Sequence, residues 1–176
     1  MNDVIFREEQ RFDQWWMRLS LIAPPFILIA VFWPIIDSQL IRGIPMGHPK
    51  LSDGELILLI GGITLGVTIL TTIPLFLMKL VTEVRPDGLS VRFIPFHFRE
   101  KRYGWGDIRS FEPVTYRPLF EYGGWGIRRG RSVWAFNVKG DRGVRLTFND
   151  GKMLLIGSQA ADELAAAMLA AKERRV

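Results

Sequence analysis

The sequence predicts an α+β membrane protein: a hairpin of two transmembrane helices, then a small β-domain closed by a C-terminal helix. Three observations carry this. Leu19 to Ile36 is 18 residues without an ionisable side chain, and Leu56 to Met78 is another 23. A helix needs about 20 apolar residues to cross a bilayer core. From Val81 onward the hydrophobic pattern changes from continuous to alternating, the period of a strand.

Charge divides the chain the same way. Residues 1–81 hold 6 Lys and Arg against 7 Asp and Glu, while residues 82–176 hold 17 against 11. The second part is a basic region of 95 residues, enough for one small core. Beside a membrane such charge suits anionic headgroups or retention on one face. There is no cysteine, which excludes disulfides, thiolate metal sites and a cysteine nucleophile. The only histidines are His48 and His97, too few for a zinc set, and no triad assembles around them. No metal, cofactor or catalytic residue is expected, and nucleic acid is not the expected partner.

Residues 1–14 are polar and mixed in charge and read as an N-terminal tail. Asp3, Glu8, Glu9 and Asp13 crowd it, unlike the basic front of a signal peptide, and no small-x-small cleavage pattern follows the first apolar run. The hairpin covers residues 15–81. Trp15, Trp16 and Arg18 suit the headgroup level at the start of the first span, residues 15–36. Pro24 and Pro25 lie inside it, tolerated in membranes where neighbours satisfy the freed carbonyls. Residues 37–52 form the loop, punctuated by Pro45, Gly47 and Pro49. Ser52-Asp53-Gly54-Glu55 is a capping box. It opens the second span, residues 53–81, in which Gly62 and Gly66 form a small-residue step for packing on the first span or on another copy. Arg7, Arg11, Arg18, Lys79, Arg85, Arg92 and Arg99 flank the hairpin's open end, against Arg42 and Lys50 in the loop. This bias predicts a multi-pass cell-membrane protein with both termini cytoplasmic.

Residues 82–176 read as seven short strands and one helix. The strands begin near Thr82, Leu89, Phe98, Ile108, Val133, Val144 and Met153. Pro86-Asp87-Gly88, Gly104-Trp105-Gly106-Asp107, Gly140-Asp141-Arg142-Gly143 and Asn149-Asp150-Gly151 are the turns, the last two read as hairpins. The helix covers about residues 158–174, with Ser158 as N-cap and Ala161, Leu164, Ala165, Met168 and Leu169 as its apolar stripe.

Seven strands and a closing helix resemble the pleckstrin-homology-like arrangement, and the chain looks like its prokaryotic versions attached to membrane hairpins. The carriers are Asp87-Gly88-Leu89-Ser90-Val91-Arg92, Tyr103-Gly104-Trp105-Gly106-Asp107-Ile108 and residues 150–158. The whole chain also resembles a family of small prokaryotic membrane proteins through Tyr116-Arg117-Pro118 and residues 121–128. The domain resemblance implies a PH-like seven-stranded binding scaffold for lipids or proteins, without catalysis.

The segment from Tyr116 to Arg131 stands out. Its 16 residues exceed the usual length of a connection in a compact domain. It mixes Tyr122 and Trp125 with glycines and with Arg117, Arg128, Arg129 and Arg131. Guanidinium groups and glycine N–H groups grip phosphate. Two readings stand: a contact surface for membrane lipids, a protein partner or a second copy, and a solvated basic loop whose aromatics cap the sheet. The expected function is non-enzymatic, the presentation of a binding domain at the inner membrane face. Protein partners or self-assembly come first, anionic headgroups second and an unrecognised enzyme third.

Overall fold

The computed structural model describes residues 4–44, 51–130 and 133–174. The chain is mixed α/β, with two apolar helices and two sheets. It forms two compact units: Asp13–Phe76, and Met1–Phe12 together with Leu77–Val176.

The first unit is helical. Helix α1 spans Trp15–Ile35 and runs on as a π-helical turn, Ile36–Ile41; helix α2 spans Asp53–Leu77. Both are long and apolar enough to cross a membrane by length and composition. Phe26, Val31, Leu58, Leu70 and Phe76 are exposed along them. The capping box forms: Glu55 accepts the Ser52 N–H at 2.8 Å, and Ser52 Oγ accepts the Glu55 N–H at 3.3 Å. Buried Gln39 donates to Leu51 O at 2.7 Å and to Asp53 Oδ1 at 3.1 Å, tying the π-turn to the start of α2. The step at Gly62 and Gly66 faces open space rather than α1; the buried positions of α2 are Leu56 and Ile60. Pro45, Gly47, His48, Pro49 and Lys50 lie outside the described residues.

The second unit begins with a difference from the expected tail. Phe6–Arg11 is strand β1, paired antiparallel with β2, Lys79–Arg85. The second helix therefore stops at Leu77 rather than near residue 81, because Leu80 belongs to the β core at 1% exposure. Strands β3 (Gly88–Ile94) and β4 (Lys101–Gly104) complete a sheet of order β1-β2-β3-β4.

The second sheet holds β5 (Ile108–Thr115), β6 (Gly126–Arg129), β7 (Val133–Asn137), β8 (Arg142–Phe148) and β9 (Met153–Gly157) in the order β5-β8-β9-β7-β6. The described residues thus hold nine strands where seven were expected. Residues 140–143 do not close a hairpin: β7 lies parallel to β9, and β8 pairs with β5 and β9. The hairpin at Asn149-Asp150-Gly151 does form, between β8 and β9.

Helix α4, Ala161–Glu173, packs against β2, β3, β5 and β8. Ala161, Leu164, Met168 and Ala171 are buried, whereas Leu169 is 52% exposed. One helical turn is 3.6 residues, so Ala171 rather than Leu169 continues the stripe. The core joins these to Val84, Leu89, Phe93, Phe136, Leu146 and Ile156. Ser158 precedes the N-cap position: its Oγ donates to Glu8 at 2.5 Å and accepts the Ala160 N–H at 3.1 Å. Glu8 also accepts the Gln159 N–H at 2.8 Å, and buried Gln10 donates to Gly157 O at 2.7 Å. Strand β1 thus clamps the junction between β9 and α4.

Candidate functional site

The segment of residues 116–131 is not an open loop. Pro118–Tyr122 forms a helical turn, α3, with proline in its first turn. Gly123 ends it with φ +70°, a conformation glycine adopts without a Cβ clash. Strand β6 follows and forms the sheet edge. The expectation of a single 16-residue connection missed both because elements of five and four residues are too short for a pattern of hydrophobicity to repeat convincingly.

The predicted site residues separate. Tyr122 is 8% exposed and packs edge-on to Tyr116, ring centroids 5.7 Å apart, over Ala135 and Leu155. It caps the sheet. Trp125 is half-buried, and its Nε1 donates to Gly140 O at 3.0 Å. Arg117 and Arg128 are exposed. Arg128 folds back, Nε donating to Trp125 O at 2.9 Å, and the Arg117 N–H donates to Glu121 at 2.7 Å. Arg129 lies over the Trp134 ring, 5.6 Å from its centroid. Arg131 is outside the described residues. Two further arginines are engaged: Arg142 pairs with Asp162 at 2.9 Å and Arg145 with Glu112 at 3.7 Å.

A better-formed site lies where β4 faces the second sheet. Its cavity is about 470 Å³, and Tyr103, Trp134, Phe136, Phe148, Met153 and Leu154 form most of its wall. That volume falls within the range of ligand pockets. Alternation explains the lining: Trp134 and Phe136 are two apart on β7 and share a face. The Tyr103 and Phe148 rings meet at 5.2 Å. One end is closed by a turn-to-turn lock, Asn149 Nδ2 donating to Gly106 O at 2.6 Å and the Asn149 N–H to Asp107 O at 3.0 Å.

The rim is charged. Lys101 Nζ sits 5.1 Å from the Phe136 centroid and has no carboxylate partner among the described residues. Lys152 and Asp150 neutralise each other at 2.6 Å, and that hydrogen bond holds the carboxyl below its ordinary range and the ammonium above its own. Burial raises the Tyr103 hydroxyl. Arg129 borders the rim through Trp134, whereas Arg117 and Arg128 do not line the cavity. The sequence signal for this site is weak: aromatics at alternate strand positions look like ordinary core until one, Trp134, is found 47% exposed.

No protein-family model, curated protein or solved structure matches this chain. Its function must be argued from its own residues. Among the described residues no group of His, Cys, Asp or Glu is arranged to hold a metal ion.

Proposed function

We propose that the chain is a membrane-anchored binding protein. Helices α1 and α2 cross the membrane as a hairpin, and the β unit, a PH-like scaffold, holds a protein partner at the inner face without catalysis. The observation that carries this is the aromatic cavity with Lys101 at its rim, over Phe136 and without a carboxylate partner among the described residues. An apolar wall with the Lys101 ammonium at one side of its rim suits an apolar side chain presented beside a carboxylate. The excess of Lys and Arg over residues 82–176 favours an acidic partner. The membrane half rests on the two apolar helices and on the pairing of Arg11 with Lys79, which brackets them. Strands paired across the hairpin lie on one side of any membrane between their helices, and the charge bias favours the cytoplasmic side.

Two measurements test the two halves. Single cysteines at Ser38 and Ser110 are expected to differ in intact cells, only the first reacting with an impermeant thiol reagent added outside. Labelling of Ser110→Cys overturns the orientation. A photo-crosslinking residue at Met153, in the full chain in its membrane, is expected to give a protein adduct that weakens with salt and is lost in Lys101→Glu. An adduct to lipid alone, or one indifferent to Lys101, overturns the partner reading.

A further inference from the structure

We propose that the loop between β3 and β4, residues 95–100, is a lipid-contact element that seats Phe96 and Phe98 in the headgroup region of the bilayer. This rests on the membrane reading above.

Phe98 is 92% exposed and Phe96 53%. Phe96 rests one side of its ring against Phe93, centroids 6.0 Å apart, and the loop is braced with the Phe98 ring outward. The His97 N–H donates to Phe93 O at 2.7 Å, and His97 Nδ1 accepts the Phe93 N–H at 3.1 Å. The Arg92 guanidinium donates to the carbonyls of His97 and Phe98, both at 3.3 Å. His97 is anchored in turn against Phe136, ring centroids 5.2 Å apart. The backbone is therefore fixed while the Phe98 ring is left in water, an arrangement that suits insertion because little order remains to be gained on binding.

The place of the loop names the occupant. Arg11 pairs with Lys79, and Lys79 with Ile94. So the end of the sheet where β1 departs for α1, and where β2 arrives from α2, is also the end where the loop leaves β3. Only Met78 separates Leu77, the last of α2, from Lys79, the first of β2. The same end carries Arg92 and Arg99, both exposed. Aromatic rings between cations have the composition of membrane-interface anchors, rings at the acyl boundary and charges on phosphates. The opposite end of β2 and β3, at Pro86 and Asp87, has no aromatic exposed.

The chain lacks cysteine, so single probes can be placed. The full chain is reconstituted in phosphatidylcholine–phosphatidylglycerol vesicles whose acyl chains carry bromine near the headgroup, with an environment-sensitive fluorophore on Phe98→Cys, Arg99→Cys, Asp87→Cys or Ile69→Cys. Phe98 and Ile69 are exposed, so neither substitution disturbs a core. Loss of emission at residues 98 and 99, with none at 87, is expected. Bromine deep in the chains should quench residue 69, in α2, and leave 98 bright. Quenching at 69 with none at 98 or 99 overturns the loop proposal and leaves the membrane reading standing. No quenching at 69 overturns the membrane reading, and this proposal with it. Equal quenching at 98 and 87 overturns a role particular to this loop.

Discussion

Strand β1 should be indispensable to a domain that begins, in sequence, about seventy residues later. The perturbation is Glu8→Ala with Gln10→Ala. Glu8 accepts from Ser158 and Gln159, and Gln10 donates to Gly157 O. Glu8 is half-buried, so its two bonds are taken at about 1 kcal/mol each, below the range for charge-assisted bonds. Gln10 is 3% exposed; its loss leaves a buried carbonyl unsatisfied, about 2 kcal/mol. The sites share one partner segment, so the pair should total about 3 kcal/mol rather than the sum. That is a large share of the 5–15 kcal/mol typical of a domain. With a urea slope of about 1.5 kcal/mol/M, the midpoint should fall by roughly 2 M. The assay is urea unfolding of residues 4–12 joined by a short Gly/Ser linker to residues 77–176, followed by tryptophan fluorescence. A fall below about 0.5 M, within extrapolation error, refutes the clamp. So would an 82–176 fragment, lacking β1, that melts with the linked protein.

Leu164→Asp should abolish cooperative unfolding of the same polypeptide, because Leu164 is fully buried and an unpaired buried charge costs several kcal/mol; an unchanged melt would place α4 outside the core. Burial pushes the Tyr116 hydroxyl up from 10.0 to about 12, so the folded domain holds this proton more tightly than the unfolded chain does. That contribution is present below pH 10 and lost as the pH rises toward 12. Tyr116→Phe should therefore gain on the parent across the window by up to about 2.7 kcal/mol, the worth of the whole shift for a side chain that is 2% exposed. A difference that stays flat with pH in paired urea melts would sink the assignment.

The elements legible in the sequence are those whose signal is local. Ser52 and Glu55 spell a cap in four residues, and Leu89 to Phe93 alternates cleanly enough to show its inward face. Strand β1 was illegible for a physical reason. Its inward positions include Glu8 and Gln10, polar because their partners are backbone and hydroxyl groups of residues 157–159. No periodicity of hydrophobicity records that. The parallel pairing of β7 with β9 leaves no local trace either, since turn residues at 140–143 serve a crossover as well as a hairpin. The arginine segment was conspicuous by composition, yet composition does not say that Tyr122 turns inward or that Arg128 folds back on Trp125. The cavity depends on which strands are neighbours, so its residues became visible only with the sheet order.

The first strand is made before both helices and its partner after them. On a ribosome adding roughly 5–20 residues per second, β1 waits several seconds with nothing to pair with. In that interval it offers a bare edge to any passing strand. The ladder can close only when α2 is finished; on the membrane reading proposed above, its far end must also have returned to the side where β1 waits. Closure of the sheet thus registers that biogenesis of the hairpin is complete. A chain with one helix misplaced would keep β1 and β2 apart and leave Gly157 O without its Gln10 donor, open to the proteases that clear unfinished proteins.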